Sequence, residues 1–401
     1  MPVNAVITPT WMGREVLAVA ENDCRFVRGI QKKLGDEFIE GGVKLGATVG
    51  VRLPQRWVTN KGQAFAGQSI SDQVVYVTIT DQANIGWGYS SIQSTLEIQD
   101  AYERYVNPAA AQMANTWDKD GLSRLYQDVY QAQGTPGTIP VSNATYINAG
   151  IDLTNSAVPK DSRVMVTNAL MGGAISNANV TLFKIPESLW QDGMIAANAF
   201  GWKTWWEDVN VYPHTYGTYT ASGAVNGANQ TGATLITNSW TSGGTTLNKG
   251  DVFTIGSGST GVYAVNPQSY QSTTTLQRFV VTSTISDTTG AITIPISPSI
   301  ITSGAYQTVV ASPASGATIN VLGTSAAISP QGLGFHKQAF VMASVAPVMP
   351  NQGKAKIVKK NGLALRLWDG SDIMTDQHPS RIDSFYGFRT IRPDWAVRIQ
   401  S

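Results

Sequence analysis

The chain is short of charge, cysteine and histidine, and each shortage excludes something. Only 14% of its 401 residues are charged, against about 25% in an ordinary soluble domain. With 28 Lys and Arg against 27 Asp and Glu, the net charge is +1. That balance excludes a basic protein gripping nucleic acid by bulk electrostatics, and equally an acidic, disordered, solvating chain. The single cysteine, Cys24, excludes an intramolecular disulfide framework and a thiolate zinc site. His214, His336 and His378 stand far apart, none in HExxH or a comparable metal spacing, and are expected at the surface or as satisfied core residues. No apolar run approaches the ~18 residues needed to cross a bilayer. Met1-Pro2-Val3-Asn4 offers neither a basic n-region nor an apolar h-region. The expectation is a soluble protein made without export, in which the sequons at Asn143, Asn179 and Asn229 are chance matches.

Catalytic signatures are equally scarce. There is no GxSxG elbow and no GxxxxGK[ST] phosphate loop. The run Gly256-Ser257-Gly258-Ser259-Thr260-Gly261 matches GxGxxG, yet it lies between two β-runs, where a dinucleotide site needs a helix N-terminus. A glycine-rich hairpin loop is predicted there. Asp369 and Asp372, with two residues between them beside a turn, read as a loop-capping pair rather than as hydrolase carboxylates. Lys354, Lys356, Lys359 and Lys360 form the one notable basic run and read as a solvated hairpin. No catalytic residue, cofactor or metal ligand is expected, and an enzyme is not predicted.

Hydrophobic residues at 42% still supply a sizeable core, and the missing charge is concentrated. From Pro213 to Gly334, 122 residues carry only Lys249, Asp251, Arg278 and Asp287, alongside 23 Thr, 16 Ser and 16 Gly. Six short β-runs recur in this window, at 234–236, 252–255, 262–265, 279–281, 291–294 and 308–310, separated by Gly, Ser, Asn or Pro. This pattern predicts an all-β, barrel-like or sandwich domain.

Outside the window the periodicity changes. Residues 11–38 carry Leu17, Ala20, Cys24, Val27, Ile30 and Leu34 at helical spacing. Residues 41–80 alternate as strands and predict a long two-stranded arm with its tip near Asn60-Lys61-Gly62; such a ribbon is marginal alone and needs a surface to lie on. A second long helix is predicted over 109–132, with Met113, Trp117, Leu125 and Val129 on one stripe. Residues 146–212 mix strands such as Arg163–Val166 with a shorter helix opening at Pro186-Glu187. Near the C-terminus, Lys356–Lys360, Asn361-Gly362 and Leu363–Leu367 spell a type I′ hairpin. Trp202, Trp205 and Trp206 form the densest aromatic cluster and are expected in core or subunit-interface packing, with a carbohydrate-stacking surface as the alternative.

In this order of parts, several strings stand out: LNKGDVFTI from Leu247, GVYAVNP from Gly261, GFHKQAF from Gly334, DGSDIMTDQ from Asp369, RIDSFYG from Arg381, and Arg392-Pro393. On these strings the chain resembles the major coat proteins of tailed bacteriophages, most closely the P-twenty-two-type coat proteins. The resemblance implies an α+β, Hong Kong 97-like capsid fold with an inserted all-β barrel-like domain. Carried over by position, it implies an N-arm at 1–40 and an extended loop at 41–90. A peripheral domain with the spine helix would take 91–140 and 355–401, an axial domain 141–212 and 335–354, and the inserted β-domain 213–334. The arm would then lie on another copy of the chain, with Trp57, Asn60, Lys61 and Phe65 as candidate contacts between subunits; a covalent crosslink through Lys61 is not expected. The implied function is a shell of many copies, in hexamers and pentamers, enclosing double-stranded DNA in a virion. A procapsid route in the host cytoplasm would require a separate scaffolding protein and a portal protein. The implied contact with DNA is weak and non-specific, a decoration protein is an optional partner, and no membrane is involved. A glycan-binding adhesin using the β-domain and the Trp cluster is the alternative reading.

Overall fold

The computed structural model describes residues 17–20, 23–34, 48–59, 61–62, 67–70, 73–90, 107–179, 201–345, 347–349, 354–370, 374 and 377–401. These fall into two compact units, one drawn from Met1–Arg52, Val74–Gly121 and Phe340–Ile391, the other from Leu53–Gln73, Leu122–Ala339 and Arg392–Ser401. Both mix helix and strand, so the chain is α+β.

The first unit is built on a six-stranded sheet. Its order is Gln31–Leu34, Phe340–Val345, Gln377–Thr390, Leu363–Asp369 and Lys354–Lys360, with Asp81–Ser90 paired to Gln377–Thr390 as well. The hairpin at its edge follows from local chemistry. Asn361 and Gly362 take φ of +49° and +80°, the two left-handed positions a type I′ turn requires and the reason Asn-Gly is favoured there. The helix Asn107–Leu125 brings buried Ala110, Met113, Ala114 and Trp117 to this unit. Gly121 sits so close to Phe26 that a Cβ would stand 2.7 Å from its ring. Asp118 of the same helix accepts the Arg25 and Val27 amides at 2.6 and 2.8 Å, fixing the start of the short helix Phe26–Gly29. Cys24 is buried, its sulfur 4.0 Å from the Ala114 carbonyl oxygen.

The second unit holds two larger sheets. One runs Ala132–Gln133, Ala396–Gln400, Ile328–His336, Arg163–Thr167 and Thr204–Glu207, with Pro213–Thr215 added against Ile328–His336. Its apolar side packs Val397 and Ile399 with Tyr146, Leu153, Met165, Met171, Trp202 and Trp205. The other sheet lies wholly between residues 224 and 321, in the order Ile319–Val321, Val252–Ile255, Arg278–Val281, Ile292–Ile300, Gly232–Asn238 and Ala224–Val225. Its core is made of its own residues, among them Leu235, Phe253, Ile255, Phe279, Ile294 and Ile319. Phe253 and Phe279 face each other across paired strands with ring centroids 5.8 Å apart, the cross-strand aromatic contact that stabilises an antiparallel sheet.

Several expectations need correction. The helix expected over 11–38 is interrupted at Cys24-Arg25 and gives way at Ile30, and Gln31–Leu34 forms a parallel strand beside Phe340–Val345, because backbone pairing there outweighs a helical apolar stripe. The helix expected to reach 132 ends at Leu125; a 3₁₀ turn, Tyr126–Asp128, and the strand Ala132–Gln133 follow. The helices Asn143–Asn155 and Ala169–Asn179 occupy a stretch read as a mixture of strands with one shorter helix, and that helix, expected at Pro186-Glu187, lies outside the described residues. Five of the six β-runs in the 213–334 window contain strand, but 308–310 makes only an isolated bridge through Val309 to Ala264. Residues 256–261 form a loop with one 3₁₀ turn, and the strands flanking it join different partners instead of each other.

Strand pairing also cuts across the expected domain limits. Residues 81–90, assigned to the extended loop, pair with Gln377–Thr390. Phe340–Val345 joins the same sheet, whereas Ala396–Gln400 pairs with Ile328–His336. The arm itself retains a two-stranded pairing of Thr48–Leu53 with Gln73–Thr78.

Candidate functional site

The tryptophans come first because one reading of the sequence would make them a ligand surface. Trp202 and Trp205 are buried. The Trp202 indole donates to the Tyr146 carbonyl at 3.3 Å, the Trp205 indole donates to the Thr167 hydroxyl at 2.9 Å, and Trp205 packs against Tyr146 at 4.9 Å. Trp206 is half-buried. Two satisfied, enclosed indoles present no face to a sugar ring, which removes the stacking platform the glycan reading requires.

The arm residues behave differently. Trp57 is 54% exposed and Lys61 is exposed; Asn60 and Phe65 lie outside the described residues. Arg56, next to Trp57, donates to the Asp394 carboxylate at 2.8 Å. Burial raises the Asp394 pKa above the ordinary carboxylate range, while Arg56 and Arg392 oppose that shift. The Tyr270 hydroxyl donates to the Trp57 carbonyl at 3.3 Å.

A second concentration of chemistry, which the sequence reading did not single out, lies where the low-charge segment meets the rest of its unit. Three of its four charges are placed there. Arg278 pairs with Asp152 at 2.7 Å and Lys249 with Asp128 at 3.8 Å. The Asp251 carboxylate takes the His214 Nε2 hydrogen at 2.8 Å and accepts the Gly217 and Asn248 amides at 3.0 and 2.8 Å. With that proton on Nε2, His214 Nδ1 accepts from the Tyr126 hydroxyl at 3.1 Å. Arg398, fully buried, donates to the Gly250 carbonyl at 2.8 Å and lies 5.8 Å from the Tyr126 ring. Burial pulls the His214 pKa below its ordinary value; the Asp251 hydrogen bond opposes this and the Arg398 charge adds to it. Burial likewise lowers the Arg398 pKa and raises that of Tyr216 to about 12. The fourth charge, Asp287, caps its own turn through the Thr289 and Gly290 amides.

The sheet carrying Arg398 thus has two unlike faces. Val397 and Ile399 point into apolar packing, while Arg398 and Gln400, both fully buried, present polar groups. Among the described residues, the Arg398 Nε and Nη1 and the Gln400 amide have no hydrogen-bond partner there. The sequence carried one signal of this junction: Asp251 is one of four charges in 122 residues, so an isolated carboxylate there required a partner.

None of these groups forms a recognisable catalytic set. Among the described residues, no three His, Cys, Asp or Glu side chains are placed to hold a metal ion, and no helix is long and apolar enough to cross a membrane. His336 is buried against Trp395 at 4.9 Å, and the side chain of His378 is not among those described.

Comparison with known proteins bears on what such an arrangement serves. The model of the family described as "P22 coat protein - gene protein 5" matches residues 93–400. No curated protein matches the chain. Among solved structures, the chain is similar to one from Mycobacterium phage Che8 at 14% identity, covering 94% of this chain and 90% of that one with a TM-score of 0.41. It is also similar to the capsid of cyanophage P-SCSP1u, at 9% identity, 94% and 87% coverage and a TM-score of 0.42. For the capsid of Ralstonia phage GP4 the values are 8%, 93% and 87%, and 0.40.

Proposed function

The chain belongs to the P22 coat protein family and is a phage major capsid subunit of an icosahedral shell, and from that premise we propose how it assembles. The subunits join as hexamers and pentamers into a procapsid, with a separate scaffolding protein and a portal protein, in the cytoplasm of the host bacterium. The shell then encloses double-stranded DNA through weak, non-specific contact, and it can accept a decoration protein. The family match over residues 93–400 carries this reading. The net charge of +1 supports it, because a container that gripped its DNA would resist both filling and emptying. The α+β organisation is what a Hong Kong 97-like architecture would contain.

Within that architecture, residues 213–334 act as an inserted β-domain that folds as its own unit. The six-stranded sheet confined to residues 224–321 and its private core support this. The arm, with Trp57, Asn60, Lys61 and Phe65, makes contacts between subunits; the exposure of Trp57 and Lys61 favours it. The glycan-binding alternative has no support, since Trp202 and Trp205 are enclosed.

Electron microscopy of the protein co-expressed with scaffolding protein tests the assembly route. Closed shells are expected, and a strictly monomeric product would sink it. Residues 213–334 expressed alone should unfold cooperatively as a β-protein; a disordered chain would refute the inserted-domain reading.

A further inference from the structure

The segment Leu53–Gln73 belongs to the same compact unit as the Asp394 carboxylate that Arg56 engages. Its two limbs are tied to each other by side chains: Gln55 donates to the Ser69 carbonyl at 2.7 Å, and the Gln68 side chain accepts the Val58 amide at 3.0 Å. Residues 55–58 and 68–69 thus form a cross-tied strap. It is held to the unit by the Arg56–Asp394 ion pair, by the Tyr270 hydroxyl on the Trp57 carbonyl, and by the Arg56 guanidinium 5.9 Å from the Tyr306 ring. The second arginine beside Asp394, Arg392, is stacked on Trp395 at 4.1 Å, which leaves Arg56 as the group that meets the carboxylate directly.

These contacts are polar and few. A partly exposed ion pair contributes little to stability, and the Arg56 and Asp394 side chains retain 36% and 20% exposure. Apolar burial on the strap is partial by contrast: Leu53 and Val58 are half-buried, while Trp57 is 54% exposed and Ile70 78%. A segment tethered by its charges while Trp57 and Ile70 still face water is parked rather than fully packed, because burial of such groups is where most binding free energy lies. A shell subunit meets one partner in large excess, a second copy of itself.

We infer that Arg56 and Asp394 form a parking clasp that holds the strap Leu53–Gln73 against its own chain in the free subunit, and that the clasp opens on assembly so that a second copy covers Trp57 and Ile70. This rests on the coat-protein reading. While the clasp is closed, the strap is withheld from other subunits, which restrains premature association. Opening breaks a partly exposed ion pair, one exposed hydrogen bond and a 5.9 Å cation–π approach, so burial of Trp57 and Ile70 in the shell drives the exchange.

The full-length chain carrying Arg56→Cys and Asp394→Cys tests this, and the buried Cys24, the only native cysteine, leaves the engineered pair as the reactive thiols. A reversible bis-methanethiosulfonate linker suits a pair that replaces long side chains better than a direct disulfide does. In free subunits the linker should bridge within one chain. Bridged subunits should fail to form shells with scaffolding protein, and reductant should restore assembly. Bridging that does not occur within the chain, or bridged subunits that assemble as readily as reduced ones, would overturn the inference. Wild-type subunits that form no shells under the same conditions would sink the coat-protein assembly reading, and the release step with it. Should the double-cysteine chain fail to fold, Arg56→Asp provides the test. Freeing the strap should speed tryptic cleavage after Lys61 in free subunits, and Arg56→Asp combined with Asp394→Arg should return it to the wild-type rate. An unchanged rate in Arg56→Asp would overturn the clasp.

Discussion

The interior of the low-charge segment and its border are held by opposite chemistries. Inside, Leu235, Phe253, Ile255, Phe279 and Ile294 are fully buried in a core of apolar residues. At the border, Asp251, His214 and Arg398 are as deeply buried but polar, and two ion pairs flank them. Apolar burial is non-directional, so it secures compactness wherever surfaces fit. A buried carboxylate needs particular donors in particular places, so it fixes one docking geometry and penalises others. The segment's compactness therefore comes from its interior, and its attitude towards its neighbours from a handful of charges beside a small apolar contact of Val252 and Val280 with Tyr130 and Ala132.

Substitutions can separate the two. The largest effect is expected from Phe279→Ala, which empties a fully buried site and should cost about 3–5 kcal/mol. Hydrogen exchange should accelerate within residues 224–321 and much less in Arg163–Thr167. Equal acceleration in both would mean that the interior is not independent.

Asp251→Ala should cost about 3–5 kcal/mol by urea unfolding of the free subunit, because it strands His214 and two amides and removes a negative charge that acts on the buried Arg398. Exchange should rise on both sides of the border; a loss confined to the segment would break the proposed division. Gly121→Ala, in the other unit, drives a methyl against Phe26 and should cost about 1–3 kcal/mol without touching either region.

Acid should act through the border as well. His214 is held below its ordinary pKa, so the unfolded chain binds its proton first. Stability is then full above about pH 6.5 and falls as pH drops below it. His336, lowered by its own burial, contributes with the same sign. The urea midpoint should therefore decline between pH 7 and pH 5, and less steeply in His214→Asn; identical slopes would dismiss His214 as a contributor. Smallest of all, Lys249→Ala should change stability by no more than about 0.5 kcal/mol, since its 3.8 Å pair with Asp128 is largely exposed.

Features written in adjacent residues were legible in the sequence. Asn361-Gly362 announced its turn because the conformation required is carried by those two residues. The strands of the low-charge segment were visible because apolar runs broken by Gly and Pro have few other solutions. Gln31–Leu34 was misread because its fate depends on Phe340–Val345, which no local pattern reveals. The helix Asn143–Asn155 carried a start signal, Ser142 accepting the Ala144 amide, but its Asn, Thr and Gly residues weaken helix propensity and its exposed Ile147 and Ile151 blur the apolar stripe. The His214–Asp251 bond and the Arg398–Gly250 bond beside it were hidden for the same reason of distance: their members come from three separate stretches of chain.

The parallel pairing of Gln31–Leu34 with Phe340–Val345 has a consequence in time. Gln31 and Val341 are partners separated by about 310 positions, and at a synthesis rate of about 5–20 residues per second the first strand waits roughly 15–60 s for its mate. Asp81–Ser90 waits similarly for Gln377–Thr390. The sheet spanning residues 224–321 needs no such partner and can close while the ribosome is still at work. With the middle folding on its own, as proposed above, each nascent coat subunit carries unpaired first strands through this interval, when exposed strand edges invite association with neighbouring chains.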